Sequence, residues 1–264
     1  MLSAMIARVQ PSVAVVATFA GVVGPASGAR GQTPVESSAE VRFQLDVHVP
    51  QAALLAYVPA GFTLNVAAQG AAKDANLRVV FIDRMTVHKP DGTPVGGGSS
   101  RLVYLVVPVR DPAGSNAQLV IGGLTDEPAD APGPFGVYLP AATHTVRRSV
   151  AGDTGADVES QDWTFRAATG EFLEMHIAFV RAVRNRGRQA DVKFYSARQP
   201  DFFQISRQEQ VLDILRNVTT TPPDRVREFS FRAGGGSYAA LFDGTERLLS
   251  WDNILWLSRT VLVP

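Results

Sequence analysis

The chain contains no cysteine. That absence removes thiol nucleophiles, thiolate metal sites, disulfide staples and the lipidated cysteine that tethers a bacterial lipoprotein. Lysine is nearly missing too. Of the 25 basic residues only Lys73, Lys89 and Lys193 are lysine, an arginine skew that reads as GC-rich coding rather than as a recognition task. Neither sign of charge prevails, since 25 basic residues face 25 acidic ones, so no positive field exists to hold nucleic acid or anionic lipid. Long hydrophobic runs are also lacking. The uncharged stretch Pro11 to Val23 falls well short of the roughly 20 residues that a membrane-spanning helix needs.

That stretch has a different use. It follows Arg8, the only charge before residue 30, and leads through Gly24-Pro25 to the small residues Ser27-Gly28-Ala29. A short positive region, an apolar core and a small-residue cleavage site are the parts of a secretory signal peptide. Residues 1–29 are therefore expected to be a leader cleaved after Ala29, against the alternatives of a short anchor or an amphipathic N-terminus. The mature chain of about 235 residues would then be secreted or periplasmic, near −1 in charge, with no stable membrane anchor. With 45% hydrophobic residues it has ample material for a packed core without disulfides.

Residues 30–40 are small and polar and read as a flexible tether, leaving 41–264 as a single domain. The domain opens on a strand in which Val41, Phe43, Leu45, Val47 and Val49 alternate with Arg42, Gln44, Asp46 and His48. Pro50 then starts a short helix over 51–57. Further strands are expected at 77–87, 101–109, 118–124, 143–150, 163–166, 171–183, 190–195, 226–231 and 238–242. Turn chemistry separates them, as in Lys89-Pro90-Asp91-Gly92 and Asp111-Pro112-Ala113-Gly114. Ser206-Arg207-Gln208-Glu209 has the form of a capping box ahead of Val211, Leu212, Ile214 and Leu215, which predicts a helix there. Another short helix is expected over 251–257. Many strands and little helix predict a mainly β (α+β) domain: an antiparallel β-barrel or cone-like sheet with two or three short helices. Asp126 to Pro134 reads as an irregular loop long enough to cover a cavity mouth.

Few residues in this pattern carry chemistry. On the strand at 171–183, Phe172, Glu174, His176, Ala178 and Val180 share one face, with Glu174 and His176 about 7 Å apart by strand rise. Such a pair is a candidate acid–base couple, or else a solvated outer face beside charged neighbours. Arg147-Arg148 sends one guanidinium to each face, and whichever points inward needs an acidic partner or a ligand. Arg147, His144 and Phe172 are the candidate ligand contacts. Arg184, Arg186 and Arg188 crowd a Gly-containing turn that either clamps an anion or is a solvated hairpin tip. His48, His88, His144 and His176 show no metal-ligand spacing, and no cofactor motif or nucleophile elbow is present. The triple glycines before Ser99 and Ser237 lack the Lys-Ser or Lys-Thr of a phosphate loop, and the second reads as a hairpin turn. Asn217-Val218-Thr219 matches a glycosylation sequon, relevant only in a eukaryotic secretory pathway.

Three landmarks carry a resemblance. Val49-Pro50-Gln51-Ala52-Ala53-Leu54-Leu55-Ala56-Tyr57-Val58-Pro59, Gly136-Val137-Tyr138-Leu139-Pro140 and the late Leu241-Phe242-Asp243-Gly244 follow in the order of the acetoacetate decarboxylase-like superfamily, which the chain resembles over roughly residues 41–264. The resemblance implies an antiparallel β-barrel around an apolar cavity. It also implies a Schiff-base lysine directly after the central proline, but here Ala141, Ala142 and Thr143 follow Pro140, and the acidic residue expected before the turn is missing. The expectation is therefore a scaffold put to another use. The leading reading is an exported barrel that binds a small apolar or carboxylate-bearing ligand without decarboxylating it. One alternative is an enzyme using Glu174 and His176 on a carbonyl or carboxylate compound. Another is a structural envelope protein that presents the Arg184–Arg188 hairpin. Oligomerisation stays open in all three.

Overall fold

Each β-strand has two faces, and what covers them decides this architecture. The computed structural model describes residues 32–70, 72–128, 135–152, 155–216 and 225–264. The expected leader, the sequon at 217–219 and residues 129–134 of the expected loop lie outside the described residues. Thirteen strands are described: β1 (Thr33–His48), β2 (Thr63–Leu64), β3 (Leu77–His88), β4 (Ser100–Arg110), β5 (Asn116–Thr125), β6 (Leu139–Gly152), β7 (Asp157–Ala167), β8 (Phe172–Val180), β9 (Asn185–Arg188), β10 (Val192–Ser196), β11 (Phe203–Arg216), β12 (Val226–Gly234) and β13 (Arg247–Val263). Among the described residues helix is limited to α1 (Gln51–Leu55) and a 3-10 turn (Gly236–Tyr238).

Seven strands close on themselves in the order β5-β10-β11-β13-β1-β3-β4, with β4 pairing back to β5. All these pairings are antiparallel except β5–β10, so the barrel is mixed. A second layer, β6-β7-β8-β12, joins through the short parallel contact of Leu124 and Thr125 with Leu139 and Pro140. Its apolar face (Trp163, Phe165, Leu173, Met175, Ile177, Phe179) packs in one core with the outer face of the barrel strands (Phe43, Leu45, Val79, Phe81, Val103, Leu105). The ring of Phe81 lies 5.8 Å from that of Trp163 and 6.5 Å from that of Phe165. The register sets Phe43 opposite Phe81 and Phe81 opposite Val103, so three strands present one continuous aromatic and aliphatic surface to the second layer.

Several expectations need correction. Residues 33–40 are strand rather than tether: Thr33 pairs with Val263 and Glu40 with Leu257, and Ser38 and Glu40 are buried. The helix expected at the Ser206 capping box is β11. It runs between β13 on one side and β9 and β10 on the other, and these two ladders satisfy the backbone groups that a helix would satisfy internally. The helix expected over 251–257 is β13, held between β1 and β11 for the same reason. Residues 238–242 are not a strand; Tyr238 ends the 3-10 turn. The Gly234–Gly236 run is accordingly no hairpin turn. It wraps the carboxylate of Glu171, which accepts from the Ser237 backbone N–H and hydroxyl, each at 3.0 Å. Gly236 has φ +47°, and a Cβ there would lie 2.3 Å from Glu171 Oε1.

Candidate functional site in the barrel lumen

The even-numbered residues of β1 were expected on a half-exposed face, but they point into the barrel. Ser38 and Glu40 lie toward one end, Arg42 in the middle, and Gln44 and Asp46 toward the other end. Opposite them stand Arg78, Val80, Ile82 and Arg84 of β3, Tyr104 and Val106 of β4, Gln204, Ser206, Gln208 and Gln210 of β11, and Arg259 of β13. The lumen encloses a cavity of about 250 Å³ that begins at Asp46, Arg78 and the exposed Gln189 and ends on Arg42, Tyr104, Phe194 and Gln208. Behind these four residues a second cavity of about 20 Å³ continues to Tyr138, Phe135 and Arg259.

The closed end is a buried ionic cluster. Glu40, fully inaccessible, accepts hydrogen bonds from Arg42 Nε at 2.7 Å and the Ser38 hydroxyl at 2.5 Å and is ion-paired to Arg42 Nη2 at 2.5 Å and Arg259 Nε at 3.1 Å, the latter donating to Ser38 Oγ at 3.3 Å. Glu36 accepts from Arg84 and, at 2.6 Å, from Arg259. Burial alone would raise the Glu40 carboxyl. The charges of Arg259, Arg42 and Arg84, with the Ser38 hydrogen bond, outweigh it and hold the group at about 2. Among the described residues three guanidiniums, those of Arg42, Arg84 and Arg259, therefore face the two carboxylates of Glu36 and Glu40. The Asp46–Arg78 pair, at 3.0 Å, stands near the mouth. Arg42 is the member that meets the larger cavity. Its Nη1 donates to the Tyr104 hydroxyl at 3.2 Å, so three of its five N–H groups are engaged. Burial pushes the Tyr138 phenol well above its ordinary range, so it is a neutral donor at neutral pH.

The residues singled out from sequence lie elsewhere. Glu174 and His176 do share a face of β8, but it is the outer face of the second layer. Glu174 is ion-paired to Arg166 and, at 3.6 Å, to Arg232. His176 has its Nδ1 2.7 Å from Asp162 and its Nε2 3.2 Å from Glu228; chiefly the bond to Asp162 raises its pKa. Phe172 lies on the same face between Arg166 and Arg232, whose guanidinium carbons are 5.7 and 5.8 Å from the ring. Arg147 is exposed opposite Asp162. Its neighbour Arg148 turns inward and finds the acidic partner that inward direction demands, Glu159 at 3.2 Å. His144 stacks on Phe165 at 6.1 Å and approaches Asp126 at 3.6 Å, outside the lumen. Arg184, Arg186 and Arg188 are exposed, and Arg186 is bound to Glu209. Among the described residues no group of His, Asp or Glu is arranged to hold a metal ion, and no helix is long and apolar enough to cross a membrane.

None of the three lysines reaches the cavity. Lys73 and Lys89 are exposed, and Lys193 bonds Asp111 at 3.1 Å from the face of β10 opposite Val192 and Phe194. Ala141, directly after Pro140, packs against the apolar core between the layers. The cavity is also not apolar as expected, because Arg42, Gln44, Gln118, Gln208 and Gln210 supply much of its wall.

No protein-family model and no curated protein matches the sequence. The fold does have solved counterparts. The enduracididine biosynthesis enzyme MppR, complexed with the condensation product of pyruvate and imidazole 4-carboxaldehyde, superposes with a TM-score of 0.57 at 13% identity, over 92% of this chain and 95% of that one. An acetoacetate decarboxylase-like enzyme from Sphingomonas wittichii RW1 superposes with a TM-score of 0.50 at 10% identity, over 91% and 95%. The chain thus has the acetoacetate decarboxylase-like fold over about nine-tenths of its length.

Proposed function

We propose that this protein binds a small carboxylate-bearing organic molecule in the barrel lumen, with Arg42 as the anion contact and without Schiff-base chemistry. One observation carries the reading: the buried guanidinium of Arg42, engaged by Glu40 and Tyr104 through three of its five N–H groups, lines the floor of the lumen cavity. A guanidinium in low dielectric with N–H groups to spare favours an anion at the cavity side, and its planar N–H fork fits a carboxylate. The counterpart that holds a condensation product of pyruvate supports the same ligand chemistry, since pyruvate carries a carboxylate. Amine catalysis has no group to perform it where no lysine meets the cavity. Glu174 and His176 face away from the cavity and take no part. Export is proposed from the leader alone.

The test is titration calorimetry with short carboxylates on the wild type and on Arg42→Met. The substitution removes charge-assisted hydrogen bonds of about 1.5–3 kcal/mol, so affinity is expected to fall roughly 10- to 150-fold. Unchanged affinity in a folded Arg42→Met protein would move the anion site away from Arg42.

A further inference from the structure

Behind Arg42, the polar wall of the smaller cavity consists mainly of hydrogen-bond donors. Arg42 and Arg259 line it, and a guanidinium can only donate. Glu36 and Glu40, which hold these two arginines, are not among the lining residues, so the carboxylates stand on the far side of the guanidiniums. Tyr104 borders the cavity too. Its hydroxyl already accepts from Arg42 Nη1 at 3.2 Å and so offers its own proton. The Ser206 hydroxyl is in the same position, accepting from Gln208 Nε2 at 2.8 Å. Tyr138 lines this cavity and not the larger one, and its hydroxyl keeps accessible surface there. Among the described residues no acceptor meets the proton of either phenol. The side-chain acceptors on this wall are the amide oxygens of Gln204 and Gln208, and the rest of it is apolar.

We infer that this rear cavity is a halide site, which holds one chloride ion between the guanidiniums of Arg42 and Arg259 and the hydroxyls of Tyr104 and Tyr138. A water molecule in the same place would have to donate two protons as well as accept, and the wall offers it few acceptors. A halide only accepts, and hydrogen bonds to a charged partner are the stronger kind. The size agrees. One water needs roughly 10–15 Å³, so about 20 Å³ takes a single particle of that size or slightly larger and no carboxylate or phosphate. The donors are also held in place. The Tyr138 ring is seated against Gly123, where a Cβ would come within 2.8 Å of its Cδ1. The turn ahead of it is pinned by the Ser196 hydroxyl, which donates to the Phe135 carbonyl at 2.5 Å, and by Arg198 Nη1, which donates to the Gly136 carbonyl at 2.9 Å. The site stands behind Arg42 and does not depend on the carboxylate reading of the larger cavity.

The experiment pairs anomalous diffraction from crystals soaked in sodium bromide with chloride NMR line widths in solution. A bromide peak is expected between Arg42, Arg259 and Tyr138, and the protein is expected to broaden the chloride line in a way that added bromide reverses. Tyr138→Phe removes one donor to the ion without altering the wall of the larger cavity, so halide affinity should fall about tenfold or more while carboxylate affinity is unchanged. Density in the rear cavity without an anomalous signal is water and overturns the inference. So does a bromide peak with no chloride broadening in solution, which is binding at crystal concentration only. An unchanged halide affinity in folded Tyr138→Phe overturns the assignment to the phenols. Where that variant does not fold, the wild-type map and line widths decide.

Discussion

Replacing Glu40 with glutamine tests the electrostatic account of the lumen most directly. The side chain is fully buried and bonded to Arg42, Arg259 and Ser38, with Arg84 Nε at 3.8 Å. Its carboxyl stands at about 2, against an ordinary value of 4.5. At roughly 1.4 kcal/mol per unit, that depression is worth about 3 kcal/mol at neutral pH. Removing one partner of a buried ion pair costs about 3–5 kcal/mol, an independent expectation of similar size, and glutamine should sit at its lower end because it keeps a hydrogen-bonding head. The sign follows from the direction of the shift. A carboxyl depressed in the folded state contributes its full share above pH 4.5 and loses it as pH falls toward 2. Urea unfolding followed by the emission of buried Trp163 should therefore show Glu40→Gln less stable by about 3 kcal/mol at pH 7. With a slope near 3 kcal/mol per molar, that is a midpoint lower by about 1 M. At pH 3 the gap should shrink to about 1 kcal/mol. A difference below about 0.2 M at pH 7, or one of equal size at both pH values, would refute the reasoning. The same change leaves the lumen with one more net positive charge, so carboxylate affinity should rise while stability falls.

Two further outcomes are expected. Gly236→Ala should lose about 1–3 kcal/mol in the same unfolding assay, because φ is +47° and the new Cβ would press on Glu171, whose carboxyl is held at about 2 chiefly by the Ser237 backbone N–H. A variant within 0.5 kcal/mol of wild type would show that the loop yields freely. His176→Gln should leave carboxylate affinity unchanged and cost less than about 1 kcal/mol, its partners being partly solvated. The raised pKa puts that small stabilisation below the ordinary imidazole value, so melting-temperature differences at pH 5.5 should disappear by pH 9. A marked loss of affinity would return the Glu174–His176 face to the functional site.

Much of the scaffold could be read from residue order alone. Alternation in 41–49, the apolar runs of β3 to β5 and the glycine- and proline-marked turns carry a 2-residue period that no tertiary contact has to correct. The Pro50 helix and the turn ahead of Pro140 also stand in the expected order. The two failed helices share a cause. Ser206-Arg207-Gln208-Glu209 offers the local chemistry of a helix start, and 251–257 the density of large apolar residues, but both segments are interior strands with ladders on each side. Pairing across the barrel joins β1 to β13 over some two hundred residues of chain, and nothing local announces it.

The same pairing explains why the candidate site went unseen. Arg42, Gln44 and Asp46 alternate with Phe43, Leu45 and Val47, and for a single strand this pattern means water on one side and core on the other. In a barrel covered by a second sheet, the apolar face is the outer one, buried under Trp163 and Phe165, while the polar face turns into the lumen. The polar half of an alternating strand is then the half that faces the cavity. A usable signal was present in two strands at once: β11 repeats Gln204, Ser206, Gln208 and Gln210 at period two, a polar row too uniform in uncharged amides for a surface carrying arginine and glutamate at Arg207 and Glu209. Glu174 and His176 drew attention because charged residues interrupt an apolar strand, yet at the outer face such residues cost little, each having a neighbour of opposite charge and access to water. Glu40 and Arg42 bear the larger desolvation cost, and Arg42, not the exposed pair, is the one of these four that lines the lumen cavity.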